Sequence, residues 1–171
     1  VMATTAELMR EWRGPAVLSY GFRPFFLLGA IWAALAVVLW LPMLTGHLVL
    51  PATFEPVQWH VHELIYGYVP AVVAGFLLTA VPNWTGRLPV TGYPLLGLVV
   101  AWLAGRVAVF FSAFIGFRVA GAVDLAFLAL LAGVIAREIV ASQNTRNIKV
   151  LAALVLLFAG NAIFYAEAIV G

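Results

Sequence analysis

Trp59-His60-Val61-His62-Glu63 sets two of the chain's three histidines and a carboxyl group directly before a long uncharged run, Leu64 to Pro82. Imidazole and carboxylate side by side are what a metal centre or a proton path uses. In a regular helix His60 and Glu63 are three residues apart and share a face. That face continues into Gly67 and Ala71. His62 lies roughly 200° round from His60 at about 3.6 residues per turn, above Tyr66. One metal can be shared by both rings only where the backbone is extended, because alternate side chains then point the same way. His60 is the first candidate ligand, with Glu63 as the group that orients its ring. His62 is the second.

Three more polar residues stand inside apolar runs. Asp124 lies roughly 10 Å below the outer end of its run, at about 1.5 Å per residue. Arg106 and Asn161 lie roughly 13 Å below the outer ends of theirs. A charge in mid-membrane costs about 2.5–3.5 kcal/mol on insertion scales. Several such groups at one level are best explained by mutual satisfaction around a shared cavity. The plainer readings stand beside this one. Arg106 and Asp124 can be a structural ion pair between adjacent helices. Asn161 can be an interhelical hydrogen bond. Trp59 and Trp84 read as interfacial anchors, and His47 as a solvated loop residue. Ligand counting adds a constraint: both candidate imidazoles sit in one apolar run. A two-histidine haem or a histidine-rich copper site would need a second protomer or further helices.

The elements that position these groups follow from composition. The chain of 171 residues is 65% hydrophobic and 9% charged, with a mean hydropathy of +1.09. Soluble domains carry about 25% charged residues, so the class is an integral membrane protein in a lipid bilayer. The net charge of +2 therefore bears on orientation and not on nucleic acid. No cysteine is present, which excludes disulfides, iron–sulfur clusters and thiolate metal sites within the chain. No pattern of a cleavable signal peptide is visible.

The runs predict an all-α, polytopic transmembrane helix bundle in a single domain over 1–171. The expected spans are about 25–45, 60–82, 93–114, 117–142 and 148–170. Residues 1–24 read as a surface segment, with Thr4-x-x-Glu7 as a capping box before Leu8 and Trp12. With the N-terminus in the cytoplasm, Arg10, Arg13, Arg23, Arg87, Arg137, Arg146 and Lys149 are all inside and Arg118 alone is outside. His60 and His62 then lie near the periplasmic side. Gly67, Ala71, Gly75 and Thr79 form a small-residue row in span two, and Gly97, Ala101 and Gly105 form one in span three. Such rows let backbones approach in lipid, so these two spans are expected at the core. Span one is expected to face lipid.

Several stretches together resemble a known family. They are Gly21-Phe22-Arg23-Pro24-Phe25-Phe26, Trp59-His60-Val61-His62-Glu63, the run Gly75 to Arg87 ending in Pro82-Asn83-Trp84-Thr85-Gly86-Arg87, and Arg146-Asn147. The chain is similar to the N-terminal part of the NnrS family of bacterial inner-membrane proteins. Members are longer and carry more spans, so the chain is expected to be a fragment completed by a C-terminal half. The resemblance implies haem and copper, and a role in the response to nitric oxide in denitrifying bacteria. It also implies His60 and His62 as ligands to haem iron or copper. Glu63 would orient an imidazole or relay protons, together with Asp124 and Asn161 around the site. Arg106 would hold a haem propionate or tune the charge. Nitric oxide is the small-molecule ligand on this reading.

Two other classes are consistent with the residues. A transporter or channel would line an ion or proton path with Glu63, Arg106 and Asp124, and its marker is a broken helix or an inverted repeat. Pro70 in mid-span can kink span two. A structural module would use the same residues only to hold helices together.

Overall fold

The computed structural model describes residues 12–143 and 145–170. The capping box at Thr4 and Glu7, and Leu8 and Arg10 of the expected surface helix, lie outside the described residues. Between Trp12 and Gly21 the chain makes one 3-10 turn, Ala16–Leu18. Five helices are long and apolar enough to cross a membrane: α1 (Phe22–Leu44), α2 (Pro56–Thr85), α3 (Gly92–Phe110), α4 (Phe117–Ala141) and α5 (Ile148–Val170). The chain is an all-α multi-pass helix bundle.

The two largest departures from the expected boundaries have local reasons. α2 opens at Pro56, not at His60, because proline suits a first helical turn and Gln58 Oε1 accepts the Glu55 N–H at 3.3 Å. α3 stops at Phe110, and Ser112–Ile115 forms a separate helical turn before the positive-φ Gly116. That turn pins the loop between α1 and α2: Ser112 Oγ accepts from Thr53 N–H at 2.8 Å, and Ala113 N–H donates to Pro51 O at 3.1 Å.

α2 is continuous but not uniform. Residues Glu63–Tyr68 form a π-turn, closed by Val69 N–H to Leu64 O. The cause lies one residue further on. Pro70 has no N–H for the Tyr66 carbonyl, and its ring crowds that carbonyl, so the preceding turn widens. The irregular backbone finds a partner across the interface, where Trp102 Nε1 donates to Gly67 O at 2.9 Å. Inside a membrane such a carbonyl needs a protein donor, since lipid offers none.

Burial separates the helices into inner and outer. The apolar windows of α2, α3 and α4 are 44%, 44% and 39% buried, against 17% for α1 and α5. Spans two and three are inner helices and span one faces outward, as the small-residue rows suggest. The rows act unevenly. A methyl on Gly67 would meet Arg106 Nη1 at 2.3 Å, and one on Gly105 would meet the Asp124 Cα at 3.1 Å. Gly97 faces open space, so the row in α3 packs through Ala101 and Gly105 and not at its Gly97 end.

The core falls into layers. One apolar cluster gathers Phe25, Leu78, Leu95, Trp102, Phe127 and Leu131. A second gathers Ala36, Met43, Phe54, Trp59, Val109 and Tyr165. Reading each helix along its length, the polar residues Trp32, His62, Glu63, Arg106, Asp124 and Asn161 fall at the boundary between the two. Trp59 is fully buried in the second cluster, not an interfacial anchor. Trp84 is partly exposed and packs edge-on to Phe76.

Candidate functional site

The boundary layer is an ion network to which every span contributes. From α3, Arg106 Nη1 donates to Glu63 Oε2 at 2.7 Å, and Nη2 pairs with Asp124 Oδ1 of α4. From α1, Trp32 Nε1 donates to the same Glu63 Oε2 at 2.7 Å. His62 stands between the two carboxylates. Its Nδ1 is 3.0 Å from Glu63 Oε1, and its Nε2 is 3.2 Å from Asp124 Oδ2. From α5, Asn161 Oδ1 meets His62 Nε2 at 3.1 Å, Asn161 Nδ2 donates to Asp124 Oδ2 at 2.9 Å, and Tyr165 Oη donates to Asp124 Oδ2 at 3.3 Å. His62, Glu63 and Asn161 are fully buried, and Arg106 and Asp124 nearly so.

The charge arithmetic explains why such a cluster survives in lipid. Two carboxylates face one guanidinium. Both His62 nitrogens face acceptor oxygens, so the ring, when it carries both protons, donates on each side and brings the sum to zero. Charges buried together are tolerated when each is paired and hydrogen-bonded. The expected mutual satisfaction is achieved by direct contact, and the helix-to-helix pairing expected of Arg106, Asp124 and Asn161 is present. Arg106 Nε is the one atom of these six polar side chains left buried without a partner among the described residues.

Aromatic rings cap the network on the side of the loop between α1 and α2. Phe54 stacks on His62 at 5.0 Å between centroids, and packs edge-on against Phe117 and Phe164. The bonds from Ser112 and Pro51 that pin this loop hold Phe54 there.

His60 lies apart from this network. Its ring stacks on Trp40 of α1, 4.0 Å between centroids and 12° from parallel. No hydrogen bond holds it among the described residues, and its Nδ1 is buried without a partner. The two histidines thus face different surroundings, as a regular helix requires up to residue 62. Glu63 orients His62, not His60. His47 is exposed, with Nδ1 2.9 Å from Thr45 Oγ1.

Fitting the implied haem or copper to these side chains gives an unequal answer. His62 has both ring nitrogens engaged, and each terminal nitrogen of Arg106 already holds a carboxylate, so Nε is its one nitrogen without a partner among the described residues. Only His60 offers an uncommitted imidazole in the apolar bundle. Among the described residues no group of three or more histidines and carboxylates is arranged to hold a metal ion. Ligands from outside the chain would have to complete such a centre.

Sequence reasoning did not single out Trp32 or Tyr165. Signals for both were present. Trp32 sits mid-span, where an indole N–H must find a partner inside the protein. Tyr165 is four residues after Asn161 and so shares its face.

The family model described as NnrS protein matches residues 16–171. Comparison with curated proteins and with solved structures finds no match. The match takes in all five spans, the ion network and His60, and the chain belongs to the NnrS family.

Proposed function

We propose that this chain is part of a haem- and copper-containing membrane protein that protects bacteria against nitric oxide, set in the inner membrane with His60 near the periplasmic side. The observation that carries the reading is His60, an imidazole stacked on Trp40 with no hydrogen bond on its buried Nδ1. Buried polar atoms without partners are rare, and each calls for a reason. A ring held in place by stacking but free at its nitrogens is prepared to accept a metal. Haem iron or copper(I) supplies the affinity for nitric oxide, a small neutral molecule soluble in lipid. The chain's own residues do the rest. Trp40 fixes the plane of the His60 ring. The ion network fixes α2 against the other four spans, and so fixes the height and direction of His60. Completion of the site falls to a second protomer or to a C-terminal half.

The transport reading is less well supported. α2 widens into a π-turn but stays helical from Pro56 to Thr85, so it lacks the interrupted helix that marks many transporters.

Purification of the full-length protein from haem- and copper-replete cells tests the proposal. Bound metal per chain and the optical spectrum are expected to drop in His60→Ala. In folded His62→Ala both are expected to persist, with lower stability. A wild-type protein with neither a Soret band nor copper would remove the proposal, as would a His60→Ala variant that keeps its full metal content.

A further inference from the structure

The loop between α2 and α3 lies at the end of the bundle away from the aromatic cap. It borders a cleft of about 670 Å³ that the ion network does not reach. Two guanidiniums and one carboxylate line it: Arg87 from the loop, and Arg137 and Glu138 from the end of α4. Glu138 is 8% exposed and holds one arginine on each oxygen. Arg137 Nε donates to Oε1 at 3.0 Å, and Arg87 Nε pairs with Oε2. Both arginines are therefore gripped by Nε alone, and among the described residues the Nη groups of each are uncommitted. The sum of charges is +2 − 1 = +1.

The start of α3 borders the same cleft through Thr91 and Pro94, and no acidic residue lies in its first turn. Pro94 has no N–H to offer, and the charged donors of the cleft are the Nη groups of the two arginines. Forked guanidiniums favour phosphate oxygens. Leu88, Val90 and Val134 supply apolar parts of the wall.

We propose that the cleft framed by Arg87, Arg137 and Thr91 binds a phosphate group, such as that of an anionic phospholipid headgroup or of free phosphate. Glu138 is a positioning residue. It aligns the two guanidiniums and keeps their net charge low enough to sit at the end of a span. The distribution of basic residues assigns this end to the cytoplasmic face, where anionic lipid is recognised by basic pockets between helices.

The test is a thermal-stability titration of the full chain with three probes: phosphatidylglycerol in nanodiscs, phosphatidylcholine in nanodiscs, and inorganic phosphate. Phosphatidylglycerol is expected to raise the unfolding midpoint above phosphatidylcholine. Arg137→Gln, at a side chain 75% exposed, is expected to weaken the apparent affinity about five-fold. Arg118→Gln, an exposed arginine at the other end of α4, is the control expected to leave it unchanged. A response to inorganic phosphate assigns the free ion, and a response to phosphatidylglycerol alone assigns the lipid. Equal midpoints with all three probes, or equal losses in Arg137→Gln and Arg118→Gln, would overturn the proposal.

Discussion

Replacing Arg106 with leucine removes the guanidinium that joins Glu63 to Asp124. The side chain is 2% exposed, so water does not take its place. Removing one partner of a buried ion pair costs about 3–5 kcal/mol, because the other charge stays buried and unpaired. Here two carboxylates are affected, and the upper half of that range is expected. In a chain of this size such a loss lowers the unfolding midpoint by roughly 10 °C or more. The informative variant is the double one. Arg106→Leu shifts the charge of the network by −1, and Asp124→Asn returns it by +1. Asparagine also keeps an acceptor oxygen for Asn161 and Tyr165. The loss in Arg106→Leu/Asp124→Asn is therefore expected to fall short of the sum of the two single losses by about 0.5–3 kcal/mol, the range of coupling within one network. Thermal unfolding in detergent, followed by tryptophan fluorescence, reads all three variants, and Trp32 and Trp102 report from the network and its edge. If Arg106→Leu unfolds at the wild-type midpoint, or the double variant falls by the sum of the singles, charge balance does not hold these helices together.

Two further outcomes are expected. Gly105→Ala presses a methyl group on the Asp124 backbone, and should cost about 1–3 kcal/mol as an overpacked interface. Gly97→Ala in the same row meets open space and should be neutral, so equal effects in the same unfolding assay would contradict the packing described. Trp32→Phe keeps the ring but removes the 2.7 Å bond to Glu63, with an expected loss of about 1.5–3 kcal/mol for a hydrogen bond to a charged acceptor. An unchanged midpoint would mean that Trp32 serves by packing alone.

The polar layer shows why one helix carries two histidines with different fates. His62 is spent within the fold, where it links α2 to α4 and α5. His60 is turned toward α1 and left with a free ring. The network is thus the frame, and the imidazole without a hydrogen bond stands outside it. This separation has a practical consequence. Variants at His62 should first be read as stability variants, and variants at His60 as tests of the proposed metal site.

Sequence alone determined the class, the number of spans and the depth of the polar groups. Those properties follow from hydropathy and from a constant rise per residue, and both are local. The pairing of Arg106 with Asp124 was legible for the same reason, since charges at equal depth on neighbouring helices have few other partners. The direction in which each histidine faces was not legible. Helical periodicity put His60 on the inner face with Glu63, whereas packing puts His62 there and joins it to Glu63. Rotation of a helix about its axis costs little until neighbouring side chains interlock. It was settled here by contacts distant in sequence: Trp40 against His60, Phe54 over His62, and Asn161 and Asp124 at the far nitrogen. Only the assembled bundle could decide which ring is bound within the fold and which is left free.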